Sequence, residues 1–257
     1  MPRVRERSPM FWRYAIIGMV AGVFGLFALA AFNRPPATDV LTACRVDRND
    51  PAHTIILIDQ SDPFNSRDIG WVRSFVDAEA RLLPKYGRLT VVTPNSAQPY
   101  EPNEVFFACS PGSSEKANPI LQNPQMIEDT WREKFYEPLK VQVEQALNDT
   151  EAATSPLSEA IFAVFDRPDF QKSMPDRRLV IVSDLMQNSD AFSFYRSGAD
   201  MAAFQETRLA SERPDMSGAD VVARIVPRQE YDLPIDTVED FWSEYFRGGG
   251  AVYASVN

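Results

Sequence analysis

Three places in the chain put cation-binding or proton-handling side chains at the end of an apolar run or the start of a helix. The first is Asp59-Gln60-Ser61-Asp62, which follows the uncharged, β-branched run from Thr54 to Ile58 and is closed by Pro63. The second is Ser155, ahead of Pro156-Leu157-Ser158-Glu159-Ala160-Ile161. The third is Ser183-Asp184, after Leu179-Val180-Ile181-Val182. Carboxylates and hydroxyls are hard oxygen donors, the kind Mg²⁺ gathers in an octahedral set while keeping some of its waters. Asp59, Asp62 and Asp184 can also be read as holding a metal that activates water for hydrolysis. Each group has a plainer role too. Asp59 and Ser61 can satisfy backbone N–H groups in an Asx-type turn. Ser155 can cap a helix that has Pro156 at its first position and Glu159 near the capping-box position. Asp184 can cap the loop that follows it.

The elements that must position these groups alternate between strand and helix. Continuous apolar runs such as 54–58 and 179–182 predict strands buried on both faces, as in a parallel sheet. Further strands are expected at 88–93, 105–108, 219–226 and 251–256. Helices are expected at 67–86, 126–148, 155–165 and 237–246, with one or two more within 191–211. In the long helix, Trp131, Phe135, Leu139, Val143 and Leu147 recur every four residues as a core-facing stripe, and Pro138 is expected to kink or split it. Residues 94–125 are rich in Pro, Asn and Ser and predict a long, irregular connection. The fold class that follows is α/β, a doubly wound, mostly parallel sheet flanked by helices. In such sheets ligands bind beyond the carboxyl ends of the strands, where Asp59 and Asp184 fall.

The three motifs, in this order and on these elements, resemble the von Willebrand factor A (vWA) domain and its metal-ion-dependent adhesion site. Asp59-Gln60-Ser61-Asp62-Pro63 stands where that family has Asp-x-Ser-x-Ser. Ser155-Pro156-Leu157 stands where many members have Thr-Pro-Leu, and Asp184 ends an apolar strand as the family's third motif does. The resemblance covers residues 53–257. It implies a site in which Asp59, Ser61, Ser155 and Asp184 hold Mg²⁺, with an acidic side chain of a partner protein as the last ligand. Two positions depart from the pattern: Pro63 has no side-chain oxygen, and serine replaces threonine at 155. A vWA-like scaffold that binds partners without a metal is the alternative.

Residues 1–13 form a basic tail, with Arg3, Arg5, Arg7 and Arg13. The uncharged run 14–32 spans about 28 Å as a helix, close to the hydrocarbon thickness of a bilayer. Trp12 and Tyr14 stand at its start, as interfacial aromatics do. The run predicts a single-pass anchor in the cytoplasmic membrane. By the positive-inside rule its N-terminus is cytoplasmic and the α/β domain lies outside, in a periplasm if there is one. Two cleaved forms compete with this: a signal-peptidase site at Ala28-Leu29-Ala30, and a lipobox-like Leu41-Thr42-Ala43-Cys44. Residues 33–52 read as a linker, and 53–257 as the domain. Cys44 and Cys109 are the only cysteines. In an oxidising compartment they predict a disulfide, and with a single histidine they leave little for zinc.

The net charge of −10 comes with no basic cluster beyond the N-terminal tail, which argues against nucleic acid as a partner. A hydrolase lacks a Gly-x-Ser-x-Gly elbow, and its one histidine, His53, precedes the first strand, so it is expected at the far end of the sheet from Asp59. The function these observations favour is a membrane-anchored, non-enzymatic binding module that engages another envelope protein. The alternatives are a metal-assisted hydrolase and a structural subunit assembled through the anchor and the aromatic helix 237–246.

Overall fold

The computed structural model describes residues 9–32, 34–61, 63–118, 122–148, 154–226 and 233–256. The chain divides into two compact units, Met1–Ala37 and Thr38–Asn257. The first consists of helix α1, Pro9–Phe32. Its stretch Trp12–Phe32 has a mean hydropathy of 2.4 and is long and apolar enough to cross a membrane.

The second unit is built on a six-stranded sheet among the described residues. Its strands are β1 (His53–Ile58), β2 (Arg88–Thr93), β3 (Asn103–Cys109), β4 (Arg177–Ser183), β5 (Ala219–Ile225) and β6 (Val252–Val256), in the spatial order β3-β2-β1-β4-β5-β6. β3 is antiparallel to β2, and the remaining pairs are parallel. All of β1 is buried, as its uncharged run requires. Side chains alternate between faces along a strand, and two cores result. Ile55, Leu57, Leu179, Ile181, Val221 and Ala223 face one core, together with α5 (Leu157–Asp166) and α9 (Ile235–Gly248). Ile56, Ile58, Val180 and Val182 face the other, with α2 (Ser66–Leu82) and the segment 124–148.

Asn65 opens α2 with a capping box: its side chain accepts from the Arg67 and Asp68 N–H groups, and Asp68 reaches back to the Asn65 N–H. The long helix is interrupted as expected, but the break is a widened turn. α3 (Pro124–Trp131) passes into a π-turn at Arg132–Tyr136 and then into α4 (Glu137–Asn148). The Glu137 N–H reaches five residues back to the Arg132 carbonyl, just ahead of Pro138, which has no N–H to donate, and the Trp131–Leu147 stripe stays buried throughout. Three short helices follow β4: α6 (Phe194–Ser197), α7 (Met201–Gln205) and α8 (Arg208–Ser211). The aromatic residues of α9 face the core, so Phe241, Trp242, Tyr245 and Phe246 do not form an assembly surface. At the amino end of the sheet, Glu79 of α2 is 3% exposed and takes a two-pronged ion pair from Arg178 of β4, at 2.8 and 3.0 Å. Arg178 also pairs with Asp220.

The cysteines are joined: Cys44 and Cys109 form a disulfide. Cys44 therefore has no thiol left to carry a lipid, which removes the lipobox alternative. The bond fixes the hairpin Thr38–Arg45 against the end of β3, where the Cys109 N–H donates to the Thr42 carbonyl. Closing a loop of 65 residues contributes about 4 kcal/mol in the chain-entropy account.

Candidate site at the carboxyl ends of the central strands

Strand order places β1 beside β4, although α2, β2 and β3 come between them in the chain. Their junction is a topological switch point, where connections leave to opposite sides and where open α/β sheets place their ligands; the groups gathered here, Asp59, Ser155, Ser183 and Asp184, are buried. Asp59 leaves β1 at this junction and Ser183-Asp184 leaves β4. The parallel register pairs Ile58 with Val182, so the next residues, Asp59 and Ser183, share a face by alternation. That face is the one covered by α5, and the segment before α5 brings in Ser155.

Three serines converge on one carboxylate, that of Asp59. Asp59 Oδ2 accepts hydrogen bonds from Ser155 Oγ at 2.7 Å and from Ser183 Oγ at 2.8 Å. Asp59 Oδ1 accepts from the Ser61 N–H at 3.0 Å, and the Ser61 hydroxyl also bonds the carboxylate. Burial pushes the Asp59 carboxyl above its ordinary range, and the hydrogen bonds from Ser155, Ser183 and Ser61 oppose this by favouring the charged form. Asp184 joins through Ser183, whose hydroxyl lies 3.5 Å from Asp184 Oδ1, and that same oxygen accepts the Met186 N–H at 3.0 Å. Asp62 lies outside the described residues.

Two features of this arrangement run against the sequence expectation. Ser155 is not the helix cap. α5 starts at Leu157 with no side-chain cap of its own, and the Ser158 N–H is satisfied by Gln187 Oε1 at 2.8 Å. The Gln187 amide in turn donates to the buried Glu159, which is therefore not part of a capping box. With the cap supplied from the β4–α6 loop, the Ser155 hydroxyl is released to Asp59. The same loop grips the Ser155 backbone, where Ser155 and Asn188 exchange N–H···O bonds of 2.8 Å in both directions. The second feature is Ser183, which the motif comparison leaves out. Its signal lay in strand register, since the residue paired one step beyond Ile58 and Val182 must meet Asp59.

The donors gathered here are all oxygens, two carboxylates and three hydroxyls, and this chemistry suits a hard divalent cation. Pro63 adds no donor. Asp59 Oδ2 already serves two hydroxyls, so a cation would have to take over those contacts. Among the described residues, no three His, Cys, Asp or Glu side chains are grouped for metal binding. His53 opens β1 and so lies at the opposite end of the strand from Asp59. Its Nδ1 sits 2.8 Å from the Asp169 carbonyl and its Nε2 sits 2.9 Å from Thr90 Oγ1. No Ser-His-Asp relay can form between those ends.

Burial lowers the His53 pKa to about 4, against about 6.5 when it is exposed. The unfolded chain therefore takes up this proton first as pH falls. The contribution of neutral His53 is full above pH 6.5 and is lost as pH drops towards 4. Urea unfolding is expected to show wild type losing about 3 kcal/mol over that window relative to His53→Gln. Asp59 works in the opposite sense in both proteins, because its raised pKa favours the fold at low pH, so the comparison between them isolates His53. Parallel stability profiles for the two proteins would refute this assignment.

The sequence matches no protein-family model and no curated protein. Several solved structures resemble the chain at low identity. The conserved hypothetical protein BatB from Bacteroides thetaiotaomicron is 13% identical, covering 80% of this chain and 90% of that one with a TM-score of 0.42. The pilus adhesin SpaC from Lactobacillus rhamnosus GG, in an open conformation, is 8% identical over 87% of this chain and 29% of its own, with a TM-score of 0.45. Proximal thread matrix protein 1 from the mussel byssus, described with a zinc-occupied MIDAS motif, is 14% identical over 81% of this chain and 44% of its own, at 0.42. The chain thus spans less than half the length of the adhesin and of the byssus protein. Sheet order and helices on both faces make the second unit a doubly wound, mostly parallel α/β domain, the fold class that the sequence predicts. An N-terminal helix long enough to span a bilayer precedes it.

Proposed function

We propose that the chain is a membrane-anchored binding module whose vWA-like domain lies outside the cytoplasmic membrane and engages another envelope protein at the switch-point cluster. The observation that carries this reading is the convergence of Ser61, Ser155 and Ser183 on the buried carboxylate of Asp59, with Asp184 alongside. Such a group stands at the carboxyl ends of parallel strands, where open α/β folds place their ligands. The helix Trp12–Phe32 and the arginines before it support the anchor, and the disulfide supports an oxidising compartment.

In this proposal Asp59, Ser61, Ser155 and Asp184 hold a divalent cation, Mg²⁺ in the first instance, and an acidic side chain of the partner completes its shell. A cation bound only by the folded state, at a hundred times its dissociation constant, adds about 2.7 kcal/mol of stability. Thermal melting with Mg²⁺, Mn²⁺ or Zn²⁺, against EDTA, is expected to show a rise of several degrees that Asp59→Ala abolishes. Crosslinking in intact cells should then capture an envelope protein with wild type and not with Asp59→Ala. One observation favours a second reading: Asp59 is already satisfied by three hydroxyls, so the cluster can act as a cation-free knot that shapes the strand ends. Melting curves unchanged by every ion, with crosslinking intact, would establish that reading in place of the first.

A further inference from the structure

In the domain, the most exposed large apolar side chains are Val40 and Leu41, at 95% and 92%, followed at some distance by Val252 and Val46. Val40 and Leu41 occupy the tip of the hairpin Thr38–Arg45. The tip is a built structure. Asp39 Oδ1 accepts the Leu41 and Thr42 N–H groups and the Thr42 hydroxyl, and the Asp39 carbonyl accepts the Ala43 N–H. Ala43 adopts φ +57°, and the neighbouring Cys44 is tied to Cys109 by the disulfide. Two apolar side chains are thus held out on a turn in which the N–H groups of Asp39, Leu41, Thr42 and Ala43 are already satisfied. Satisfied donors are what a peptide segment needs in order to enter a low-dielectric layer.

The position in the chain says what the layer is. Phe32 ends the apolar helix, and from position 32 to position 40 the chain reaches at most about 27 Å. The interfacial zone on each side of a bilayer's hydrocarbon is roughly 6 Å thick. Beside the tip opens a cleft of about 990 Å³ lined by Arg45, Val46, Arg48, Arg88 and Arg167 among others. Arg45 pairs with Asp47, while Arg88 and Arg167 pair with acidic neighbours. Arg48 carries no ion pair among the described residues and is available to a phosphate group.

We infer that the hairpin 38–45 is a second membrane contact, with Val40 and Leu41 seated in the headgroup zone of the leaflet that the chain leaves and Arg48 beside the lipid phosphates. This rests on the anchor proposed above. It fixes the amino ends of the strands towards the lipid and leaves the Asp59 cluster, at their other ends, facing away.

Full-length protein in phospholipid nanodiscs tests the inference. A benzophenone amino acid replaces Leu41 in one sample and Met126, which is also exposed, in another. After illumination, mass spectrometry is expected to find a lipid adduct at 41 at least roughly ten-fold above that at 126, as burial of two aliphatic side chains implies. Equal yields in nanodisc-bound protein would overturn the inference and leave the anchor standing. Failure of the chain to enter the nanodiscs would overturn both. Substitution at so exposed a position leaves the fold intact, and Val40→Asp in the position-41 probe is expected to lower its lipid adduct.

Discussion

Trp242→Ala is expected to lower the unfolding free energy by about 4 kcal/mol, the middle of the range for emptying a buried aromatic site. Trp242 is completely buried and packs on Phe241, Tyr245 and Phe246, with ring centroids 5.2 to 5.6 Å away. Its indole N–H also donates to the Leu185 carbonyl at 2.8 Å. Leu185 adopts φ +64°, a left-handed conformation costly for a branched side chain, one residue after Asp184. The tryptophan therefore does two things: it fills the core and it holds the site loop in a strained turn. Trp242→Phe separates them. That variant keeps most of the packing and removes the indole donor, leaving the Leu185 carbonyl with the Gln187 N–H alone at 3.1 Å, at a cost of about 1 kcal/mol. Hydrogen exchange at residues 184–188 is expected to quicken in it more than exchange in β5. A variant as stable as wild type, with unchanged exchange in that loop, would remove the link between α9 and the site.

The second large effect concerns the other end of the sheet. Arg178→Met is expected to cost about 3 kcal/mol, because it strands the carboxylate of Glu79 in the interior. Glu79→Gln should cost less. Arg178 is 26% exposed at its side chain and retains Asp220, so it loses one partner and keeps both water and the other. The double variant Glu79→Leu, Arg178→Met is expected to recover much of the loss, since two apolar groups need no mutual partner. Urea unfolding of the four proteins forms a thermodynamic cycle, and purely additive losses would show that the pair carries no coupling.

The two-faced burial of β1 and β4 was legible because their apolar runs have no polar alternation, and that alone implies helices on both sides. The Trp131–Leu147 stripe survived the π-turn because its four-residue spacing tolerates one extra residue without leaving the core. Cys44 and Cys109 were legible as a pair because no other partner exists for either. The site was legible as a set of strand ends, and less so in its wiring. Ser155 looked like a helix cap because local sequence supplies a serine, a proline and a glutamate at the usual spacing. The actual cap, Gln187, comes from a loop 29 residues further on, and no local pattern reports it. Ser183 was hidden for a related reason: its role depends on how β1 and β4 are registered, which a single strand's composition does not state. Long-range pairing decided both cases.

The Cys44–Cys109 bond also has a mechanical consequence. In the proposed arrangement, with the domain tethered at one end and gripping a partner at the other, the chain bears load. Tension between the N-terminal segment and the chain beyond Cys109 passes from Cys44 straight across the sulfurs to the last residue of β3. Residues 45–108, which include β1, α2 and β2, lie inside the closed covalent ring and outside the loaded path. A pull between the tether and the chain beyond Cys109 is therefore not transmitted along the backbone of β1, the strand that leads to Asp59.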